Sequence, residues 1–160
     1  MKVLLNLGCG QVPLGRPKHA GGTWGVINHD LTRHSPHVDV AWDLNKVPWP
    51  WADGSITQIM AIAVLEHLRL TLIESLAECW RILKPRGLLV LKLPLWDNEE
   101  SWNDVTHRWH FGRGALDLFD RTTERGRNYG ALYGATTWRI VSVGAPEGLT
   151  CLYGTLEKIR

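Results

Sequence analysis

Val3-Leu4-Leu5-Asn6-Leu7-Gly8-Cys9-Gly10 is the stretch on which the fold turns. An apolar run that short, closed by glycine, reads as a buried strand rather than a helix, since a helix shows a longer repeat. Gly8 and Gly10 let the backbone turn sharply off that strand and approach a ligand more closely than any side chain permits. A strand followed by Gly-x-Gly occurs in many folds, and a plain tight turn explains it equally well. Its weight depends on the acids further along the chain.

Residues 11–24 hold two prolines and three glycines and show no helical period, so they read as an irregular loop. Gly25-Val26-Ile27-Asn28 then leads to His29-Asp30, a second strand with an acid at its carboxyl end. Asp30 lies 20 residues past Gly10, where a carboxylate can accept the protons of ribose hydroxyls. Val38 to Trp42 is a weaker third strand closing on Asp43, and Asp43-Leu44 offers an adenine a polar edge contact and an apolar face contact. The run from Ile56 to Val64 is a fourth strand, ending at Glu66-His67.

Thr71-Leu72-Ile73-Glu74 matches a capping box, whose hydroxyl and carboxylate satisfy the first free amides of a helix. Leu72, Leu76, Cys79, Trp80 and Leu83 form one apolar face, Lys84 suits the last turn, and Pro85 cannot continue it, which predicts a helix over 72–84. Leu88 to Leu93 is a fifth strand stopped by Pro94. Residues 95–114 read as a long loop, 115–119 as a short helix and 126–134 as glycine-rich coil. Thr137 to Val143 and Leu149 to Ile159 close the chain as a hairpin around Gly144-Ala145-Pro146-Glu147-Gly148. Strands alternating with crossovers predict an α/β, Rossmann-like fold: a mainly parallel sheet with an antiparallel C-terminal hairpin, in three αβα layers. Ligands of such sheets sit at the carboxyl ends of the strands, where the strand order reverses.

With 160 residues, 44% hydrophobic and 21% charged, the chain is the size and balance of one ordinary globular domain. A net charge of +2 is too small to drive phosphate binding, so nucleic acid is disfavoured. The apolar start is broken by Asn6 and glycines before it could form an export signal or a membrane span. Cys9, Cys79 and Cys151 lie far apart in odd number, which fits a reducing cytoplasm better than a disulfide scaffold. Nine tryptophans are unusual; several, among them Trp49, Trp51, Trp96, Trp102 and Trp109, fall in expected loops, which should pack onto the body, line a pocket or hide in a homodimer.

Glu66 and His67 follow strand four at the sheet's active edge, and His107 sits in Thr106-His107-Arg108, making these three candidate acid–base groups. Glu66 and His67 also read as the start of the next helix, and His107 as a loop anchor. His107-x-x-His110 and His34-x-x-His37 have the spacing of metal ligands, but no cysteine pair accompanies them, and no metal is expected. Arg121, Arg125 and Arg127, interrupted by Asp120 and Glu124, read as a solvated loop.

Six blocks in order carry a family resemblance: Leu-Asn-Leu-Gly-Cys-Gly at 5–10, Ile-Asn-His-Asp at 27–30, Asp-Leu-Asn-Lys-Val-Pro-Trp-Pro-Trp at 43–51, Val-Leu-Glu-His-Leu at 64–68, Trp-Arg-Ile-Leu-Lys-Pro-Arg-Gly at 80–87 and Asn-Asp-Val-Thr-His-Arg at 103–108. Over roughly residues 3–120 the chain resembles the methyltransferase type 11 group of class I S-adenosylmethionine-dependent methyltransferases. That resemblance implies a seven-stranded sheet with a reversed last strand. It also implies cofactor contacts from Asn6, Gly8, Cys9 and Gly10 at the methionine part, Asp30 with Leu31 at the ribose, Asp43 and Leu44 at the adenine, and backbone near Ala63. The expected activity is methyl transfer to a small-molecule acceptor.

The chain departs from the family pattern in three places. Asn6 stands where an acid is usual, Arg86 where Lys-Pro-Gly-Gly has its first glycine, and nothing precedes strand one, so residues 95–134 are expected to close the substrate side. A second reading is a non-catalytic S-adenosylmethionine-binding module acting as partner or sensor. A nicotinamide dehydrogenase ranks last, because Val12 and Pro13 stand where its third fingerprint glycine would open a helix.

Overall fold

The computed structural model describes residues 1–15, 21–145, 148 and 150–159. Strand β1 (Lys2–Leu7) is the axis of the sheet. On one side it pairs in parallel with β2 (Trp24–Asp30), which pairs with β3 (Val40–Ala41). On the other it pairs in parallel with β4 (Ile56–Ile62), which pairs with β5 (Leu83–Pro94). The order β3-β2-β1-β4-β5-β7-β6 is completed by β7 (Cys151–Lys158), antiparallel to both β5 and β6 (Trp138–Gly144). This is the expected mainly parallel sheet with a reversed last strand, and its order reverses between β1 and β4.

Register explains the core. Leu5 lies opposite Ile59, Ile59 opposite Leu89 and Leu89 opposite Leu156, and all four are fully buried. Each such side chain contributes about 1.5–3 kcal/mol of hydrophobic stabilisation. Helix α1 (Leu72–Ile82) joins this cluster through Leu76, Cys79 and Ile82. The capping box is present: Thr71 Oγ1 accepts from Glu74 N, and Thr71 N donates to Glu74 Oε2 at 2.7 Å.

Several expectations need correction. Helix α1 stops at Ile82, not 84, because a residue preceding proline is pushed out of the helical region and Lys84 precedes Pro85. Leu83 already pairs with Ile56, so β5 starts well before Leu88, and Arg81 is the basic group of the last helical turn. The third strand is only two residues long. The loop over 95–114 contains a short helix, α2 (Glu99–Asn103), capped by the Asn98 side chain on Glu100 N. The helix over 115–119 is a single 3-10 turn at Asp117–Phe119. The expected coil over 126–134 begins inside α3 (Glu124–Tyr129), capped by Thr123. Arg121 is no solvated loop residue, since it donates to the carbonyls of Gly126 and Ala135. Pro146 and Glu147 of the hairpin turn, and residues 16–20 of the first loop, lie outside the described residues.

Among the described residues no helix occupies the crossovers between β1 and β4, so the sheet face carrying Met60, Val90 and Thr155 is only partly covered. Trp49 and Trp51 are buried, whereas Trp96 and Trp102 are exposed. Among the described residues no helix is long and apolar enough to cross a membrane.

Candidate active site

The carboxyl ends of β1 and β4 lie side by side, Leu7 opposite Ala61. The chain leaves β1 through Gly8 at φ 60° and Gly10 at φ 54°, in the left-handed region that disfavours other residues. At Gly8 space matters as well, because a Cβ there would stand 2.7 Å from Val64 Cγ2. Glycine is thus demanded twice, by torsion and by the approach of the β4 loop.

Asp30, at the end of β2, holds the glycine turn in place. Its Oδ2 accepts from Gly10 N and its Oδ1 from Leu31 N, both at 2.7 Å. His29 beside it is buried; its Nε2 meets Trp42 O at 2.9 Å and its Nδ1 meets Gly8 N at 3.4 Å. Nε2–H must be the donor to the carbonyl and Nδ1 the acceptor, a neutral tautomer. Burial pushes the His29 pKa down, in agreement with that assignment. His34 and His37 both reach Gly10 O, at 2.9 and 3.0 Å, and complete the clasp. Asp43 Oδ1 accepts from the backbone and side-chain amides of Asn45, which hold its carboxyl below the usual carboxylate range.

These elements enclose a cavity of about 160 Å³ walled by Gly8, Asp30, Leu31, Asp43, Leu44 and His67, among others. Five of the nine expected cofactor residues therefore converge. Cys9 and Gly10 are not in the cavity wall, and Cys9 Sγ lies 3.9 Å from Asp30 Oδ2. Ala63 lines the neighbouring cavity instead. Asn6 does not line the cavity: its amide donates to Asn28 Oδ1 at 3.0 Å, in a buried network where Asn28 also holds Leu14. Through Asn28, Asn6 helps to fasten the Leu14 backbone across β1 and β2.

The three acid–base candidates come together past the end of β4, between this cavity and its neighbour. Glu66 and His67 sit in a 3-10 turn, Leu65–His67, entered through Ala63 at φ 53°. The Glu66 carbonyl accepts from Arg108 N at 2.8 Å and Trp109 N at 3.2 Å, and Trp109 Nε1 donates to Leu68 O at 2.9 Å. This backbone clip lays the 104–109 segment on the turn, with the His67 and His107 rings 4.8 Å apart. His107 Nε2 lies 4.0 Å from Glu66 Oε1 and 3.6 Å from Asp104 Oδ2. Glu66 is only 1% exposed, and among the described residues its Oε2 has no hydrogen-bond partner. Burial pushes the Glu66 carboxyl pKa up. Glu66 and His107 face a second cavity of about 240 Å³, with Ala63, Lys92, Glu100 and Cys151 also in its wall.

Sequence reading misses His29, Trp42, Asn45 and Val64 in the first cavity, and the clasp of His34 and His37. Their only local signal is proximity to the acids at the strand ends. His110 joins neither cavity wall: its Nδ1 meets Ser101 Oγ at 2.8 Å and its ring stacks on Trp102 at 3.6 Å.

Comparison with known proteins points the same way. Residues 25–91 match the family model of the methyltransferase domain, Methyltransf_11. No curated protein matches the chain. Among solved structures, a chain from the complex between the Haloferax volcanii Trm112 methyltransferase activator and a methyltransferase is 10% identical, with a TM-score of 0.64 over 99% of this chain and 83% of that one. The [4+2]-cyclase SpnF is 12% identical, with a TM-score of 0.63 over 99% and 74%. The Burkholderia thailandensis 1,6-didemethyltoxoflavin-N1-methyltransferase, solved with 1,6-didemethyltoxoflavin and S-adenosylhomocysteine, is 16% identical, with a TM-score of 0.61 over 99% and 71%. At such identities the structural likeness speaks for the fold, while the family model speaks for the segment containing β2 to β5. Residues 25–91 are thus similar to the methyltransferase domain, and the chain as a whole has the fold of these methyltransferase structures.

Proposed function

We propose that the protein transfers a methyl group from S-adenosylmethionine to a small-molecule acceptor at the β1–β4 switch point. The observation that carries this reading is the convergence of Gly8, Asp30, Asp43 and Leu44, from separate stretches of chain, on one cavity whose wall includes His67. The residues fit the cofactor. Gly8 leaves room for close backbone approach, and each Asp30 oxygen accepts one amide, leaving a lone pair for a ribose hydroxyl. Leu31 and Leu44 supply apolar contact, and Asp43 a polar edge.

Bound there, S-adenosylmethionine supplies a methyl already activated by its sulfonium. What remains for the chain is to orient the acceptor and remove its proton. Thr106 commits its hydroxyl hydrogen to Asp104 Oδ1 at 2.6 Å, so its oxygen accepts from His67 Nδ1–H at 2.9 Å. His107 Nδ1–H likewise donates to Ser101 O at 2.8 Å. In its neutral form each imidazole thus carries its lone pair on Nε2, suited to taking a proton, and Glu66 stands beside them. The free cysteines Cys9, Cys79 and Cys151 favour a reducing cytoplasm. The non-catalytic module is the second reading; a protein of similar fold is described as a [4+2]-cyclase, so the fold does not by itself fix methyl transfer.

Calorimetric titration with S-adenosylmethionine and S-adenosylhomocysteine tests the proposal. Both should bind, and Asp30→Ala should weaken binding by about 1–3 kcal/mol, the cost of unpaired ribose hydroxyls and a loosened loop. Binding without a labelled-methyl product in a metabolite screen favours the module. No binding of either ligand to the folded protein removes both readings.

A further inference from the structure

We propose that Glu66, His67 and His107 form a binding site for one divalent transition cation of the zinc or manganese type, at the boundary of the two cavities. One carboxylate oxygen and one ring nitrogen from each histidine lie within 4.8 Å of one another, a set that modest side-chain rotation brings to metal–ligand distances. Two histidines and one carboxylate are a common donor set for metals that keep positions open for a reactant.

Three further observations point to a missing cation. Glu66 Oε2 is buried without a partner among the described residues, and an ionised carboxylate in that position is costly unless a cation or a proton completes it. The Nδ1 hydrogens of both histidines are spent on Ser101 O and Thr106 Oγ1, which leaves Nε2 as the nitrogen each neutral ring would offer a metal. Carbonyl or hydroxyl oxygens behind a ring in this way are how proteins orient metal-binding imidazoles. His107 Nε2 lies 4.0 Å from a Glu66 carboxylate oxygen and 3.6 Å from one of Asp104, so a cation held at Nε2 would have carboxylates beside it.

Location assigns the use. His67 borders the cofactor cavity while Glu66 and His107 border the second, so an open coordination position would hold an acceptor oxygen, from a hydroxyl or carboxylate, beside the methyl donor. This use rests on the methyl-transfer reading; the cation site itself does not.

The test is calorimetric titration of chelator-stripped protein with Zn²⁺ alone, in the absence of S-adenosylmethionine. One cation per chain is expected, with affinity lowered about tenfold or more by each of Glu66→Gln, His67→Ala and His107→Ala. His110→Asn should bind as the parent protein does. Co²⁺ should give weak visible d–d absorption without a thiolate charge-transfer band. Thermal unfolding in chelator establishes that each variant folds, and Glu66→Gln, nearly isosteric, decides the matter if a histidine variant does not. Absence of stoichiometric binding, binding undiminished in Glu66→Gln, or binding abolished by Cys151→Ser overturns the site. Zn²⁺ binding by a protein that does not bind S-adenosylmethionine would remove the methyl-transfer reading and leave the cation site standing.

Discussion

Around Gly8 the polar groups find their partners within the chain: Asp30 on Gly10 and Leu31, His29 between Gly8 and Trp42, His34 and His37 on Gly10, Asp43 on Asn45. Around Glu66 they do not: a buried carboxylate oxygen has no partner among the described residues, and each of two imidazoles has only its Nδ1 engaged in a hydrogen bond. The first region is a preorganised cleft, set before any ligand arrives and needing little rearrangement to receive one. The second is a constellation completed only by something from outside. Substitutions should therefore have opposite signs in the two regions, destabilising the cleft and relieving the cluster.

The largest effect is expected at the glycine turn. Gly8→Ala must place a Cβ 2.7 Å from Val64 Cγ2 while keeping φ near 60°. The torsion costs about 1–2 kcal/mol and the forced contact about 1–3 kcal/mol, so denaturant unfolding should show a lowered midpoint. Binding of S-adenosylhomocysteine should fall with it, because the turn that approaches the ligand is displaced. An unchanged midpoint would show that the β1 and β4 ends are less tightly apposed than described, and the idea of a rigid cleft would fail.

Glu66→Gln should act in the opposite direction. It removes a buried negative charge with an unpartnered oxygen and keeps the shape, so in chelator the variant should be more stable by about 0.5–2 kcal/mol, the usual gain when a functional site is relieved. Stability lost instead of gained would mean that His107 already compensates the carboxylate as a cation. The contrast between the regions would then disappear.

The same asymmetry governs what is legible in the sequence. Strands β1, β2, β4 and β5 are legible because each is an apolar run stopped by glycine, acid or proline, and α1 because its capping box and apolar repeat are both local. Asp30 and Asp43 are legible by their place at strand ends. Helices α2 and α3 are not, being five and six residues long. Asn98 before Glu99-Glu100 and Thr123 before Glu124 are the cap signals that could reveal them. Apolar periodicity extends α1 to Lys84, and the steric effect of Pro85 on its predecessor is the competing signal that prevails. Position alone places Asn6 at the ligand, whereas alternation puts it on the face of Asn28, with which it hydrogen-bonds. The meeting of His107 with Glu66 depends on a backbone clip about 40 residues distant in sequence, from the Glu66 carbonyl to the amides of 108 and 109, and no local pattern encodes such a pairing.

The smallest expected effect separates the cleft's own stability from its ligand's. His29 is buried and neutral, with its pKa held below the ordinary histidine value near 6.5 by burial. A group depressed in the folded state takes up its proton more readily when the chain unfolds. Its contribution is therefore complete above about pH 6.5 and is lost as the pH falls through that value toward the lowered folded-state pKa. The unfolding midpoint of the parent protein should decline between neutral and mildly acidic pH. In His29→Gln, whose amide can still reach toward Trp42 O but cannot titrate, that decline should flatten even though the variant starts from lower stability. Equal slopes in the two proteins would mean that His29 takes up its proton as readily in the folded chain as in the unfolded one. In mildly acid solution Nδ1 could not then accept from Gly8 N, and the clasp on the glycine turn would rest there on Asp30, His34 and His37.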